Sequence, residues 1–264
     1  MNSPTWTGLL YSSAPVLFSV AILSALRLGQ VRPLLVALAR LVAQLLLLGV
    51  VLQWLFTTRN PAFVGAIALV MLLVSAHTVG SRLKGGGWPL RLEAFVAMGL
   101  GIVLVMSVSL RLGLRVDPWY DPHVVIPLLG MILGNSVTGV ALAAERLESD
   151  LRAERDRVEL RLALGASSRD AALPALRAAV RAALTPPINN MMIAGIVAIP
   201  GMTTGQLLAG APVQEAIRYQ ILIYLGITGT VCLSTLALLA VRLRTYFTPW
   251  DQLRIERLAA RDGE

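Results

Sequence analysis

Long apolar runs alternate with short clusters of turn residues along the whole chain. A membrane-crossing helix needs about 20 mostly apolar residues. Such runs lie near 9–27, 34–56, 62–81, 92–111, 123–144, 188–209 and 217–241. Between them fall Gly29 and Pro33, Asn60-Pro61, Gly85-Gly86-Gly87, Asp117-Pro118, Thr185-Pro186-Pro187, and Gly210 with Pro212, residues that punctuate helices. The pattern predicts an all-α polytopic membrane protein with about seven transmembrane helices in a single domain over residues 1–264. The sixth run holds Pro200-Gly201 near its middle. Proline removes a backbone donor and glycine loosens the turn. At membrane depth such a site is either a packing kink or a break lining a water-filled route.

Residues 145–183 form the one long polar stretch outside the tail. Ala144, Leu147, Leu151, Val158 and Leu162 keep helical spacing, with Glu, Asp and Arg on the other faces. The fifth span is therefore expected to continue as an amphipathic helix. Gly165 interrupts it, and Ser167 with Asp170 offers a capping box for a second helix. That helix would carry Leu173, Leu176, Val180 and Leu184 on one stripe, with Arg169, Arg177 and Arg181 off it. The result is a helix–glycine–helix elbow, suited either to lying on the membrane surface or to receiving a cytoplasmic partner.

Composition supports a lipid environment. Charged residues make up 14% of the chain and the mean hydropathy is +0.71, against about 25% charge in an average soluble domain. The net charge of +8 would point to nucleic acid in a soluble protein. Here no nucleic-acid partner is expected, because basic residues of membrane proteins gather in cytoplasmic loops. With seven spans and the N-terminus outside, 19 of the 23 Lys and Arg residues fall on the inner side. Arg59, Arg111, Arg115 and Arg218 are left outside, which selects N-out and C-in in the plasma (cell inner) membrane. Met1 to Gly8 carries no positive charge, so the first run is expected to stay as a helix rather than serve as a secretory signal. The single cysteine, Cys232, and two histidines make a disulfide or a cysteine-based zinc centre unexpected.

The run Glu159-Leu-Arg-Leu-Ala163-Leu164-Gly165 resembles the EAA loop of ABC permeases, in which Glu and Gly stand six residues apart; Pro174 follows the glycine more closely than that motif has it. A wider set is more specific. It comprises Gly134-Asn135-Ser136, Glu154-Arg155-Asp156, Leu162 to Ala166, Thr185-Pro186, Ile188-Asn189, Pro200-Gly201-Met202-Thr-Thr-Gly205-Gln206-Leu-Leu-Ala-Gly210, and Arg218-Tyr219-Gln220. These residues are similar to the FetB or UPF0014 family, which includes proposed bacterial iron-export permeases and plant proteins linked to aluminium tolerance.

The resemblance implies a half-size permease that pairs with a separate nucleotide-binding subunit. Glu159, Ala163, Leu164 and Gly165 would then be the ATPase-coupling contact. Candidate pathway residues are Asn135, Asn189, Asn190, Met191, Met192, Pro200, Gly201, Met202 and Gln206. The expected assembly is a homodimer in the lipid bilayer with two copies of a cytoplasmic ABC ATPase. No cofactor is expected on this chain, which lacks a G-x-x-x-x-G-K-[ST] loop; ATP and Mg would sit on the partner. The candidate spans also lack a deeply placed carboxylate of the kind proton-coupled carriers use, and Glu93 lies only at a span entrance.

On family grounds the substrate is a metal ion, iron, moving outward. Another ABC substrate, a sugar nucleotide or a lipid-like molecule, is the alternative. Thioethers at Met191, Met192 and Met202 suit soft ions better than iron, and methionine in a membrane helix is ordinarily packing. The remote enzyme alternative is an intramembrane serine protease with Ser136 as nucleophile and His77 as base, although Gly134-Asn135-Ser136-Val137 lacks the usual second glycine.

Overall fold

The computed structural model describes residues 5–58, 60–82 and 87–254. Arg59, Lys84, Gly85, Gly86, Arg257 and Arg261, which entered the charge and turn arguments, lie outside the described residues. The helices are α1 (Trp6–Ala25), α2 (Val31–Thr58), α3 (Pro61–Arg82), α4 (Gly87–Val108, continued by a π turn Ser109–Gly113), α5 (Pro122–Ala153), α6 (Arg155–Ala163), α7 (Ser168–Ile193), α8 (Gly201–Leu208) and α9 (Val213–Tyr246). No strand occurs among the described residues. The fold is all-α and polytopic, as the apolar runs predict.

Among the described residues six helices, α1 to α5 and α9, are long and apolar enough to cross a membrane. The run 188–209 is not among them, and the expectation of a sixth apolar helix there needs correction. Its first residues belong to α7, which runs straight through Thr185-Pro186-Pro187 instead of starting after it. The chain then leaves the helix at Ala194, turns through Gly195 (φ +80°), and resumes as the eight-residue α8 at Gly201. Pro200 is the N-cap of α8, so Pro200-Gly201 marks a true break, not a kink.

This broken path still runs the length of α9. Ser168 N–H donates to Asp251 just past the end of α9. Thr228 on α9 meets the Met191 sulfur at 3.6 Å, and Thr203 of α8 bonds Gln220 at 3.2 Å. The helix α7 and then α8 are therefore antiparallel to α9. With 26 residues at 1.5 Å rise, α7 spans roughly 39 Å.

The chain divides into two compact units, Met1–Thr58 and Arg59–Glu264. The first is a pair of helices joined through Arg27 and Gly29, both with positive φ. Leu45, Leu46 and Leu47 are all exposed on successive faces of α2, the signature of a helix whose solvent is lipid.

The second unit packs α5 against α7 and α9. The buried residues of α5 include Val140, Ala141, Ala144 and Leu147, and those of α9 include Ile223, Ile227, Val231 and Leu238. The core face of α7 is not the expected leucine stripe. Leu173, Leu176, Val180 and Leu184 are half-buried, whereas Ala172, Ala175, Ala179, Ala183 and Pro187 are buried. Small residues let backbones approach closely, the usual solution between membrane helices. Gly139 on α5 completes it. A Cβ there would stand 2.7 Å from Val231 Cγ1 and 3.1 Å from the Ala183 carbonyl oxygen, so three helices meet where one side chain is absent.

Candidate functional site

The amphipathic continuation of α5 exists but is jointed. Helix α5 ends at Ala153, Glu154 leaves helical geometry, and α6 begins at Arg155. Leu147, Leu151 and Val158 are buried as their spacing requires. At the end of α6, Gly165 adopts φ +89°. Its N–H donates to the Leu162 carbonyl at 2.9 Å, and the Ala166 N–H donates to that of Arg161 at 3.0 Å. This pair of bonds is the Schellman motif, which needs a left-handed residue at that position. Ser167 then caps α7: its Oγ accepts from the Asp170 N–H at 3.2 Å and donates to the Asp170 carboxylate at 2.6 Å. Arg161 Nη1 donates to the Ala171 carbonyl at 3.0 Å, locking the angle between α6 and α7.

The four coupling candidates come together at this elbow. Glu159 is held by Arg155 at 2.8 Å, one helical turn away. Ala163, Leu164 and Gly165 are exposed, Leu164 at 79%. Leu160, which did not figure among the candidates, is 61% exposed on the same face at i, i+4. Two bare leucines at the tip of a charged helix form an apolar knob flanked by a carboxylate. The sequence held the signal, since Leu160 breaks the stripe set by Val158 and Leu162.

Beside the elbow lies a buried ionic cluster that the sequence reading missed. Arg242 of α9 points Nη1 at Glu93 of α4 (3.4 Å) and donates from Nη2 to the Tyr246 hydroxyl. Its guanidinium carbon lies 4.5 Å from the Tyr246 ring centre. Tyr246 in turn donates to Glu148 of α5 at 3.3 Å, and Arg152 reaches the other Glu148 oxygen at 3.4 Å. Thr245 donates to Glu93 at 3.2 Å. Helices α4, α5 and α9 are thus tied by charge at one end. Glu93 sits near a span entrance as expected, but its partner is 149 residues away, a pairing no local pattern reveals.

The tail after α9 doubles back. Thr248 N–H donates to the Gln252 carbonyl and Arg254 N–H to that of Tyr246, both at 2.8 Å. The turn brings the Asp251 carboxylate to the Ser168 N–H at 2.8 Å. A carboxylate at the first turn of α7 complements the helix dipole. Hydrogen bonds from the Ser168 side chain and backbone hold the Asp251 carboxyl below the usual carboxylate range.

The pathway candidates divide. Asn189, Asn190, Met191 and Met192 occupy the last turns of α7, and Pro200, Gly201, Met202 and Gln206 frame α8. Met192 is 72% exposed, while Met191 and Met202 are half-buried. Between the break and α9 lies a mainly apolar cavity of about 370 Å³, with Thr203, Gln220 and Tyr224 as its polar lining. Asn135 is on α5, exposed, and donates to the Met131 carbonyl of its own helix. Among the described residues no group of three or more His, Cys, Asp and Glu side chains is placed to hold a metal ion.

The protease pair does not assemble. Ser136 is fully buried and donates to the Ile132 carbonyl at 2.8 Å, the ordinary back-bond of a helical serine. His77 is exposed on α3.

A family model described as "Uncharacterised protein family (UPF0014)" matches residues 6–247. The chain belongs to the UPF0014 family. It is 37% identical to "UPF0014 membrane protein slr1647" of Synechocystis, over 90% of this chain and 92% of that one. It is 32% identical to the rice "UPF0014 membrane protein STAR2", over 94% and 86%. The Escherichia coli "Probable iron export permease protein FetB" is 28% identical over 98% and 99%. No solved structure matches. This UPF0014 chain is therefore a multi-pass membrane protein whose relatives include a protein named as a permease.

Proposed function

We propose that the chain is the membrane-spanning permease subunit of an ATP-driven ABC transporter. It works as a homodimer with two copies of a cytoplasmic ATPase, N-terminus outside and C-terminus inside the cell inner membrane. ATP and Mg are held by the ATPase, and this subunit is not itself an enzyme. Transport is by alternating access, with closure of the ATPase pushing the elbow and thereby α5 and α7. The observation that carries this reading is the apolar knob of Leu160 and Leu164 beside Glu159, which a partner groove would desolvate. Iron as substrate, and export as direction, come from likeness to the E. coli protein.

The test is ATP hydrolysis by the chain reconstituted with its neighbouring ABC ATPase, with and without ferrous iron. Iron-stimulated hydrolysis that disappears in a Glu159→Ala/Gly165→Pro double variant supports both coupling and metal. Coupled hydrolysis indifferent to iron keeps the permease and reassigns its cargo. Absence of any association between the two subunits overturns the reading.

A further inference from the structure

Two helical turns past the elbow, an open groove of about 440 Å³ lies between α5 and α7. Its charge comes from Arg146 on α5 and Arg177 and Arg181 on α7, over a floor that includes Ala178 and Ala182. No carboxylate is among the described residues that line it. Arg146 is engaged by Asp150 at 2.9 Å. Among the described residues no ion pair or side-chain hydrogen bond engages the guanidinium of Arg177 or Arg181. Two cations thus stand side by side on one helix face without compensation, an arrangement that like-charge repulsion disfavours.

The position of the groove narrows what it takes. Arg177, Arg181, Thr185, Ile188 and Met192 follow one another at three- and four-residue steps, all on the exposed face of α7. Thr185 is where the face changes: cationic before it, mainly apolar after it, with Ile188 and Met192 44% and 72% exposed and Asn189 exposed at the edge. A helix face that passes from guanidinium to bare hydrocarbon within one turn is matched to the edge of a bilayer. Guanidinium forks bind phosphate oxygens two at a time, and basic pockets between helices on the cytoplasmic side are matched to lipid head groups. The volume is within the range of small-ligand sites and larger than a simple ion requires.

We propose that this groove binds a phosphate group, carried either by the head group of an inner-leaflet phospholipid or by a soluble phosphate ester. The proposal rests on the inner placement of α7 in the reading above. It has a consequence for cargo: a bare divalent cation is repelled by the groove and does not enter beside α7 at this level.

The test uses the purified full chain in detergent, without the ATPase, so its outcome is separate from that of the ATPase association assay. Native mass spectrometry follows binding of phosphatidylglycerol, of phosphate-free diacylglycerol as control, and of pyrophosphate. At about fivefold per arginine near a membrane surface, Arg177→Gln/Arg181→Gln is expected to bind roughly thirtyfold more weakly. Arg177→Lys/Arg181→Lys retains much of the binding, and Arg169→Gln, outside the groove, retains all of it. Selective uptake of phosphatidylglycerol assigns the lipid source, and uptake of pyrophosphate alone assigns a soluble phosphate compound. Wild-type chain that takes up neither probe overturns the proposal. So does a double Gln variant that binds like wild type, or an Arg169→Gln variant that loses as much.

Discussion

The ionic cluster of α4, α5 and α9 and the elbow at α6 are neighbours along α5, yet they place polarity in opposite ways. In the cluster the charges are inside: the side chains of Arg242 and Glu93 are 10% and 15% exposed, and that of Glu148 is 7%. On the elbow the charges are outside and so are the leucines, at 61% and 79%. Buried charge is costly unless every member is paired, so the cluster holds its three helices in one arrangement. Exposed leucine gains nothing in the isolated chain, and its apolar surface becomes useful only when a partner covers it. One region serves as a fixed joint; the other, on the proposed function, is the contact a partner subunit covers. The short α6, locked to α7 through Arg161, connects them.

Removing the arginine from the cluster is the harshest way to break this contrast. Arg242→Ala leaves the largely buried Glu93 carboxylate without its ion-pair partner and the Tyr246 hydroxyl without its donor, at a cost of about 3–5 kcal/mol. A large drop in the thermal midpoint of the purified chain is expected. An unchanged midpoint would mean that the cluster is solvated in practice and that the joint is not fixed. The companion change at the elbow should spare stability altogether. Leu160→Ala/Leu164→Ala is expected to leave the midpoint within about 0.5 kcal/mol of wild type, as exposed substitutions do. On the proposed function it should weaken ATPase binding by about 2 kcal/mol, the scale of an interface anchor. Equal affinity in a pull-down titration would remove the knob from the contact.

The two regions also differ in how far the sequence discloses them. The elbow is local: Gly165, Ser167 and Asp170 stand close enough for turn and cap chemistry to be read directly, and the geometry follows. The cluster is not local. Glu93, Glu148 and Arg242 each look like a charge near a helix end, and nothing in their spacing pairs them across the bundle. The break around 194–200 was half legible. Pro200-Gly201 marked it, but Pro186-Pro187 suggested a boundary where α7 passes uninterrupted. The buried alanine face and the gap at Gly139 bring α7 against α5 and α9 tightly enough to hold a helix that lacks three internal donors, at Pro174, Pro186 and Pro187. Tertiary packing overrode the local signal there. For the same reason the alanines, not the leucines, turned out to face the core.

The smallest expected effect joins the two regions. Asp251 lies one short turn beyond Tyr246 of the cluster, and its carboxylate accepts from Ser168 at the start of α7. Because its folded carboxyl titrates below the usual range, the contact is present at pH above the unfolded value of about 3.9. It is lost as pH falls through the lower folded value. At pH 7 Asp251→Asn is expected to raise amide exchange in the first turn of α7 while leaving the cluster untouched. On acidification the wild type should approach the variant, since protonation removes the same charge. A difference between them that persisted unchanged at low pH would assign the effect to shape, not charge. The tail would then pack against the elbow without steadying α7 electrostatically, and the fixed joint would end at Tyr246.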